Sequence, residues 1–293
     1  MFDFQDFSTR IRQLNLHSSR LVEGLYAGNY RSVFRGPGLE FDEVREYDPM
    51  DDARFIDWNV SSRMGTPYTK KFREERELSL NLIADISPSM NSGSGRHNKR
   101  EILNSLFANL AFSAVSTEDR VGAVFFSDRI ERWVSPRKGK THALTLVQEC
   151  FTSEAEGTGS HLGLALRTAH ESMKRRGVII ILSDFKTGNF WKELSLVSKH
   201  HDVIAVRIFD PIDTEFPEGG LIELIDTETG QVVWGLGNSK TFRREYHDFW
   251  ILQRLHWKRE CARRGVPALE VSTFDDPAAR LTAFFNGSKG RRR

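Results

Sequence analysis

Two carboxylates and two hydroxyls follow directly on hydrophobic runs of this chain. One apolar run ends at Asp85, and Ser87 and Ser89 follow at alternate positions. A second run, made of Ile, Val and Leu, ends just before Asp184. An all-oxygen ligand set, without His or Cys, favours a hard cation such as Mg²⁺ over zinc. The residues therefore predict a site for Mg²⁺, or for Mn²⁺ or Ca²⁺ in its place.

A third hydroxyl comes from the turn before a predicted helix. Ser160 follows a glycine there, and Thr158 lies two residues earlier as the alternative ligand. Hydroxyls add no charge, so an ion held by two carboxylates stays electrophilic towards a further anionic oxygen. An acidic residue of a partner protein could supply that oxygen. His161 could touch such a partner, although it could equally be a solvated loop residue. The competing interpretation is that Asp85 and Asp184 only cap helices.

Strands and helices alternate through the chain from residue 77 onward. Apolar runs at residues 78–84, 121–126, 178–182 and 203–209 alternate with helical patterns, which predicts an α/β fold with a mostly parallel sheet flanked by helices. The carboxyl ends of parallel strands share one edge, where ligands bind in open sheets. We assign residues 77–286 to this domain. A β-hairpin insertion is expected at about 212–240, and residues 287–293 form a basic, disordered tail.

The first 76 residues differ in composition. Residues 8–27 have helix-like apolar spacing, and the segment that follows mixes charges of both signs with aromatic residues. We expect this charged lobe to pack on the core. It could be a second interaction surface or simply a lobe held by ion pairs and aromatic packing. Its candidate partner-binding residues are Arg45, Arg54, Asp57 and Trp58.

Composition excludes several classes of protein. Among 293 residues, 42 Lys and Arg against 40 Asp and Glu give a formal net charge of +2, which argues against nucleic-acid binding. Two distant cysteines exclude a disulfide framework. The sequence shows neither a signal peptide nor a run of about 20 apolar residues, the length that crosses a bilayer. We therefore expect a cytoplasmic protein that reaches membranes only through partners.

The site residues resemble a known metal site. Asp85, Ser87, Ser89 and Asp184 are similar to the metal-ion-dependent adhesion site of von Willebrand factor A domains, in which a DxSxS motif precedes a Thr and an Asp. Ser160 stands at the position of the Thr. The resemblance implies a von Willebrand factor A-like, Rossmann-like fold and a divalent cation that bridges to an acidic residue of a partner.

Longer stretches resemble one family within that fold. Residues 30–41, 45–58, 209–211 and 226–230 are similar to signatures of the family called domain of unknown function 58, although Met50 replaces the usual Gly. This resemblance implies association with a MoxR-type AAA+ ATPase, as an adaptor or co-chaperone. We expect a non-catalytic, metal-dependent interaction module. The alternatives are a Mg²⁺-dependent hydrolase or phosphate-handling enzyme, and a scaffold with a vestigial metal site.

Overall fold

The computed structural model describes most of the chain, namely residues 40–48, 50–73, 78–225 and 231–287. The chain divides into two compact units, of which one is Arg35–Glu77 and the other includes everything from Leu78 onward. The helix predicted over residues 8–27 and the tail beyond residue 287 lie outside the described residues.

The smaller unit contains an antiparallel ribbon and a short helix. Strand β1 (Glu40–Glu46) pairs with β2 (Tyr68–Arg73), and helix α1 (Trp58–Met64) lies between them in the chain. The Asp57 carboxylate caps α1 by accepting two backbone N–H groups. Gly65 ends the helix with a φ of 76°, in the left-handed region that favours glycine. The sequence predicted a charged lobe here but not these elements.

The charges of the smaller unit form the expected ion pairs. Arg45 bonds Asp51 at 2.7 Å, and Arg54 bonds Asp52 at 2.6 Å. Trp58 is 71% exposed, so it does not take part in the aromatic packing that one interpretation of this lobe required.

The larger unit is built on a six-stranded sheet. Its strands are β3 (Ser79–Asp85), β4 (Arg120–Phe126), β5 (Ile130–Arg137), β6 (Val178–Ser183), β7 (Asp202–Phe209) and β10 (Ala268–Ser272). Their order is β10-β7-β6-β3-β4-β5, and all neighbours are parallel except β5, which returns antiparallel to β4. This architecture confirms the predicted α/β class with a mostly parallel sheet.

Helices cover both faces of the sheet. They are α2 (Lys99–Ser116), α3 (Lys140–Thr152), α4 (Leu162–Ser172), α5 (Trp191–His200), α6 (Lys240–Arg263) and α7 (Pro277–Gly287). Apolar residues of α2, α3 and α7 pack into one core layer, and those of α4, α5 and α6 pack into the other. Cys150 and Cys261 are free thiols buried in different layers, as the sequence predicted.

The central strand β6 shows why the apolar runs lack polar alternation. Ile180 and Leu182 face the first layer, while Ile179 and Ile181 face the second. All six residues of the strand are buried. Because helices cover both faces, Val178 to Leu182 all carry apolar side chains, and the polar Ser183 comes only where the strand ends.

The insertion between β7 and α6 contains the predicted hairpin. Strands β8 (Leu221–Ile225) and β9 (Val232–Leu236) pair antiparallel in a separate two-stranded sheet. Several of its apolar side chains are exposed, among them Leu221, Trp234 and Leu236.

Candidate metal centre

Asp85 is fixed by a complete set of hydrogen bonds at the carboxyl end of β3. Its Oδ1 accepts the backbone N–H of Ser87 at 3.0 Å. Its Oδ2 accepts the Ser183 hydroxyl at 2.7 Å and the Ser160 hydroxyl at 3.1 Å. The carboxylate is fully buried. Three loops that are distant in sequence therefore meet at this one side chain.

Ser87 and Ser89 present their hydroxyls to each other. The two Oγ atoms lie 3.2 Å apart, and both residues are buried. A 3-10 turn, Pro88–Asn91, carries the chain away from the sheet directly afterwards. The expected convergence of both hydroxyls beside Asp85 is therefore present in the structure.

The two alternatives for the third hydroxyl occupy different environments. Ser160 bonds Asp85, and its carbonyl accepts the Thr187 hydroxyl at 2.6 Å. Thr158 is exposed, and its backbone N–H donates to Asp128 at 3.3 Å. The structure thus brings Ser160 to the site and leaves Thr158 at its margin. Asp128 fastens the loop that carries Thr158.

His161 begins helix α4 beside this loop. Its Nδ1 accepts the backbone N–H of Leu164 at 3.1 Å, so the side chain caps the helix. Its own backbone N–H donates to the Ser127 carbonyl at 2.7 Å. The residue is exposed and remains available to a partner.

Asp184 follows β6 on the same edge, because β3 and β6 are parallel neighbours. Its Oδ1 accepts the backbone N–H of Lys186 at 3.1 Å. Its Oδ2 accepts from the Nζ of Lys99 at 2.8 Å. Asp184 therefore stands beside the other site residues, but a lysine already neutralises it. This ion pair was not predicted from the sequence.

Lys99 and Lys186 share a second carboxylate. The Lys99 Nζ lies 3.6 Å from one oxygen of Asp213, and the Lys186 Nζ lies 2.6 Å from the other. Asp213 belongs to the 3-10 turn that follows β7. Together with Asp85 and Asp184, the cluster holds three carboxylates and two ammonium groups. Full ionisation leaves one excess negative charge.

The two carboxyl groups, Asp85 and Asp184, have pKa values shifted in opposite directions. Burial, and then the negative charge of Asp184, raise the pKa of Asp85 to about 6, against the hydrogen bonds it accepts. Burial also pushes the pKa of Asp184 upward, but Lys99 and Lys186 outweigh it and bring that pKa below its usual value. Asp85 is therefore the carboxylate of this cluster that forms no ion pair with a described cation. The charges of Lys99 and Arg100 act on it only at longer range.

A divalent cation fits this donor set. Asp85 offers a carboxylate that forms no ion pair with a described residue. The Ser160 hydroxyl donates to it, and the hydroxyls of Ser87 and Ser89 contact each other in the loop that follows it. Within the described residues no three His, Cys, Asp or Glu side chains cluster as a metal site, so an ion here depends on the hydroxyls. Hard cations such as Mg²⁺ accept oxygen ligands of this kind and retain water at other positions.

One further carboxylate ties the loops of this edge together. Asp210 accepts the backbone N–H of Ser94 at 2.9 Å and the Ser94 hydroxyl, and it accepts the Thr273 hydroxyl at 2.6 Å. The loop after β3 is thereby joined to the ends of β7 and β10. The sequence analysis noted Asp210 only as part of a similar motif.

The candidate residues of the smaller unit have local roles. Arg45 and Arg54 are engaged by neighbouring aspartates, and Asp57 caps α1 and pairs with Lys70 at 3.2 Å. Trp58 is the one candidate among these four whose side chain is mostly open to solvent and lacks an ionic partner. A role of this unit in partner binding stays a prediction.

The sequence comparisons decide the family. Residues 43–255 match the family described as "Protein of unknown function DUF58". The chain belongs to this family. Uncharacterised proteins of Mycobacterium bovis and Mycobacterium tuberculosis are each 28% identical to it over 285 residues, which cover 96% of this chain and 90% of theirs. The family assignment made from the sequence motifs is confirmed.

Two solved structures are similar to this chain at low sequence identity. The conserved hypothetical protein BatB from Bacteroides thetaiotaomicron is 15% identical with a TM-score of 0.48, over 73% of this chain and 99% of that one. The SpRpn10 VWA domain is 10% identical with a TM-score of 0.41, over 70% of this chain and 94% of that one. None of the helices among the described residues has the length and hydropathy needed to cross a membrane.

Proposed function

We propose that this protein is a non-catalytic binding module that holds Mg²⁺, or Mn²⁺ or Ca²⁺, and uses it to capture an acidic residue of a partner protein. The observation that carries the proposal is the convergence of three loops on Asp85, whose buried charge has no cationic partner among the described residues. Asp85, Ser87, Ser89 and Ser160 would hold the ion, and Asp184 would stand beside it as a second carboxylate that Lys99 neutralises.

The charge of the site supports a ligand from outside. A divalent ion adds two positive charges to a cluster with one excess negative charge. One positive charge then remains, and a partner carboxylate would neutralise it. Burying an uncompensated charge is unfavourable, so the site favours an anionic ligand over water.

The contacts also favour binding over catalysis. An enzyme that forms an aspartyl phosphate needs an acid or base near its nucleophilic carboxylate. Two residues after Asp85 stands Ser87, whose hydroxyl contacts Ser89, and the nearest further carboxylate, Asp184, is held by Lys99. Neither group is suited to transfer a proton at neutral pH.

For the partner, we propose a MoxR-type AAA+ ATPase, with this chain as its adaptor or co-chaperone. The support is the resemblance of the sequence to its family. An acidic residue on the surface of the ATPase would occupy the vacant coordination position of the ion.

The first experiment measures melting temperature with and without Mg²⁺. A ligand at a concentration of 100 times its Kd stabilises the folded state by about 2.7 kcal/mol. This raises Tm by roughly 5–10 °C for a domain of this size. We expect this rise in the wild-type protein and none in Asp85→Asn. Asp202→Asn is the control, because this carboxylate lies at the start of β7, away from the carboxyl ends of the strands, and pairs with Arg176. It should keep the rise.

Partner capture separates the binding function from the alternatives. Wild-type protein should retain the ATPase in Mg²⁺ and release it in chelator, and Asp85→Asn should fail in both conditions. Metal-independent capture would point to a scaffold with a vestigial site. Hydrolysis of phosphate esters that Asp85→Asn abolishes would point to an enzyme.

A further inference from the structure

Lys99 is an unusual residue for its position. It is the first residue of helix α2, and its side chain is completely buried. A positive charge at the N-terminus of a helix is unfavourable, because the helix dipole is positive there. A buried ammonium is also costly unless it is paired. Asp184 at 2.8 Å and Asp213 at 3.6 Å are the groups that hold it in this place.

This ion pair occupies the second carboxylate of the candidate metal centre. Both oxygens of Asp184 are engaged, one by Lys99 and the other by the backbone N–H of Lys186. The neighbours of Asp85, by contrast, are hydroxyls and one backbone N–H, which carry no full charge. A lysine thus stands beside one carboxylate of the pair, while the other forms no ion pair with any residue that the structure describes.

We propose that Lys99 is a resident counter-ion that keeps Asp184 out of direct metal coordination and so makes cation binding depend on an anionic ligand from the partner. The inference rests on the proposed function and deepens it, because it names the residue that makes binding of the cation depend on binding of the partner's carboxylate. With Asp184 neutralised, the ion has one protein carboxylate, Asp85, and retains a positive charge. The cation alone binds weakly, and a carboxylate ligand tightens it.

This arrangement is a coupling between two ligands. If an acidic group tightens cation binding by some factor, the cation tightens binding of that group by the same factor. The protein would then leave its site largely empty until a partner arrives. Removing the charge of Lys99 should weaken this dependence, because Asp184 could then serve as the second carboxylate of the ion.

The test is calorimetric titration of the full chain with Mn²⁺. We expect Lys99→Met to bind Mn²⁺ at least tenfold more tightly than the wild type. Lys186→Met is the matched control: it removes the same charge nearby, but its side chain pairs with Asp213 and is partly exposed. We expect at most a threefold change there. Unchanged or weaker Mn²⁺ binding by Lys99→Met would overturn the role of Lys99.

A double variant keeps the inference testable if Lys99→Met alone does not fold. Lys99→Met combined with Asp184→Asn replaces the ion pair by a neutral pair and leaves no orphaned charge. We expect its Mn²⁺ affinity to stay within threefold of the wild type, because Asp184 does not bind the ion directly when Lys99 is present. A loss of tenfold or more would mean that Asp184 is a direct ligand, and the inference would fail.

Acetate serves as the probe for the anionic ligand. Saturating acetate should tighten Mn²⁺ binding to the wild type several-fold and have less effect on Lys99→Met. An equal effect on both proteins would contradict the proposed coupling. Failure of Mn²⁺ to bind any of these proteins would overturn the proposed function as well, whereas binding to the wild type with an unchanged Lys99→Met overturns only the inference.

Discussion

Two buried carboxylates of the central sheet, Glu270 and Asp85, have opposite surroundings. Glu270 in β10 accepts two hydrogen bonds of 2.6 Å from Arg254, and Lys258 lies at 2.5 Å. Arg207 approaches to 3.9 Å. Asp85 in β3 has hydroxyls and a backbone N–H instead. One carboxylate is surrounded by cations, and the other forms no ion pair with any described residue.

The pKa directions express the same contrast. Burial pushes the pKa of Glu270 upward, but Arg254 and Lys258 outweigh it and bring the pKa below its usual value. The pKa of Asp85 rises to about 6 because nothing comparable opposes burial. Asp210, at the same edge as Asp85, also forms no ion pair with a described residue, but its hydrogen bonds outweigh burial and bring its pKa below the usual value. Asp85 differs from both carboxylates, because neither cations nor hydrogen bonds offset its burial.

The largest expected effect is loss of the paired carboxylate. Glu270→Gln leaves Arg254 and Lys258 without their anion, so the free energy of unfolding should fall by about 3 kcal/mol, the lower part of the range for broken buried pairs, because both cations can partly rehydrate. Urea unfolding would measure it. The exposed Glu223→Gln is the control and should change stability little. A neutral result for Glu270→Gln would remove the contrast with Asp85.

A buried histidine extends the comparison to a polar group that stays neutral. His201 accepts the backbone N–H of Gly177 at Nδ1, and its Nε2 lies 3.0 Å from Nδ1 of His170. Burial, followed by the charge of His170, lowers the pKa of His201 to about 4 from 6.5. As the pH falls, His201 therefore takes up a proton in the unfolded chain before it does so in the folded protein. The free energy of unfolding is fully retained above pH 6.5 and decreases as the pH falls towards 4.

His201→Asn should flatten that pH dependence. We expect the wild type to lose about 2 kcal/mol more than the variant between pH 7 and pH 4.5. Urea unfolding at several pH values measures the difference, and parallel curves for the two proteins would contradict the assignment.

The smallest expected effect has the opposite sign to that of Glu270. In chelator at pH 8, Asp85→Asn should raise the free energy of unfolding by about 1 kcal/mol, because it removes a buried charge without a counter-ion. The folded-state pKa lies above the ordinary value, so the charged form is disfavoured above pH 6 and the advantage of the variant should fade below it. Destabilisation in chelator would show that the site tolerates the charge without an ion.

The sequence was sufficient for the parts of the fold that periodicity describes. The Ile, Val and Leu run of β6 predicted a strand buried on both faces, and its parallel pairing with β3 follows from the helices between them. That topology places the side chains of Asp85 and Asp184 on one edge. Ser160 and Thr158 could not be separated from sequence, because the turn that carries them is set by contacts with Ser127 and Asp128.

What the sequence analysis missed depends on partners that are distant in the chain. Lys99 contacts Asp184 and Asp213, which lie 85 and 114 residues further along the chain. No local sequence pattern links these two aspartates to Lys99. The one local indication is that Lys99 stands at the first position of a helix, where the helix dipole disfavours a positive charge. Strands β1 and β2 were missed because their alternating charged residues resemble a solvated loop.

Asp213 links the charged cluster of the site to the chain segment that follows β7. The same carboxylate that contacts Lys186 and approaches Lys99 opens the segment leading to the β8–β9 hairpin, which begins at Leu221. Any ligand that draws Lys99 away from Asp184 would also change the balance of charge around Asp213. A change in the buried cluster would in this way reach the chain segment that leads to an exposed apolar hairpin.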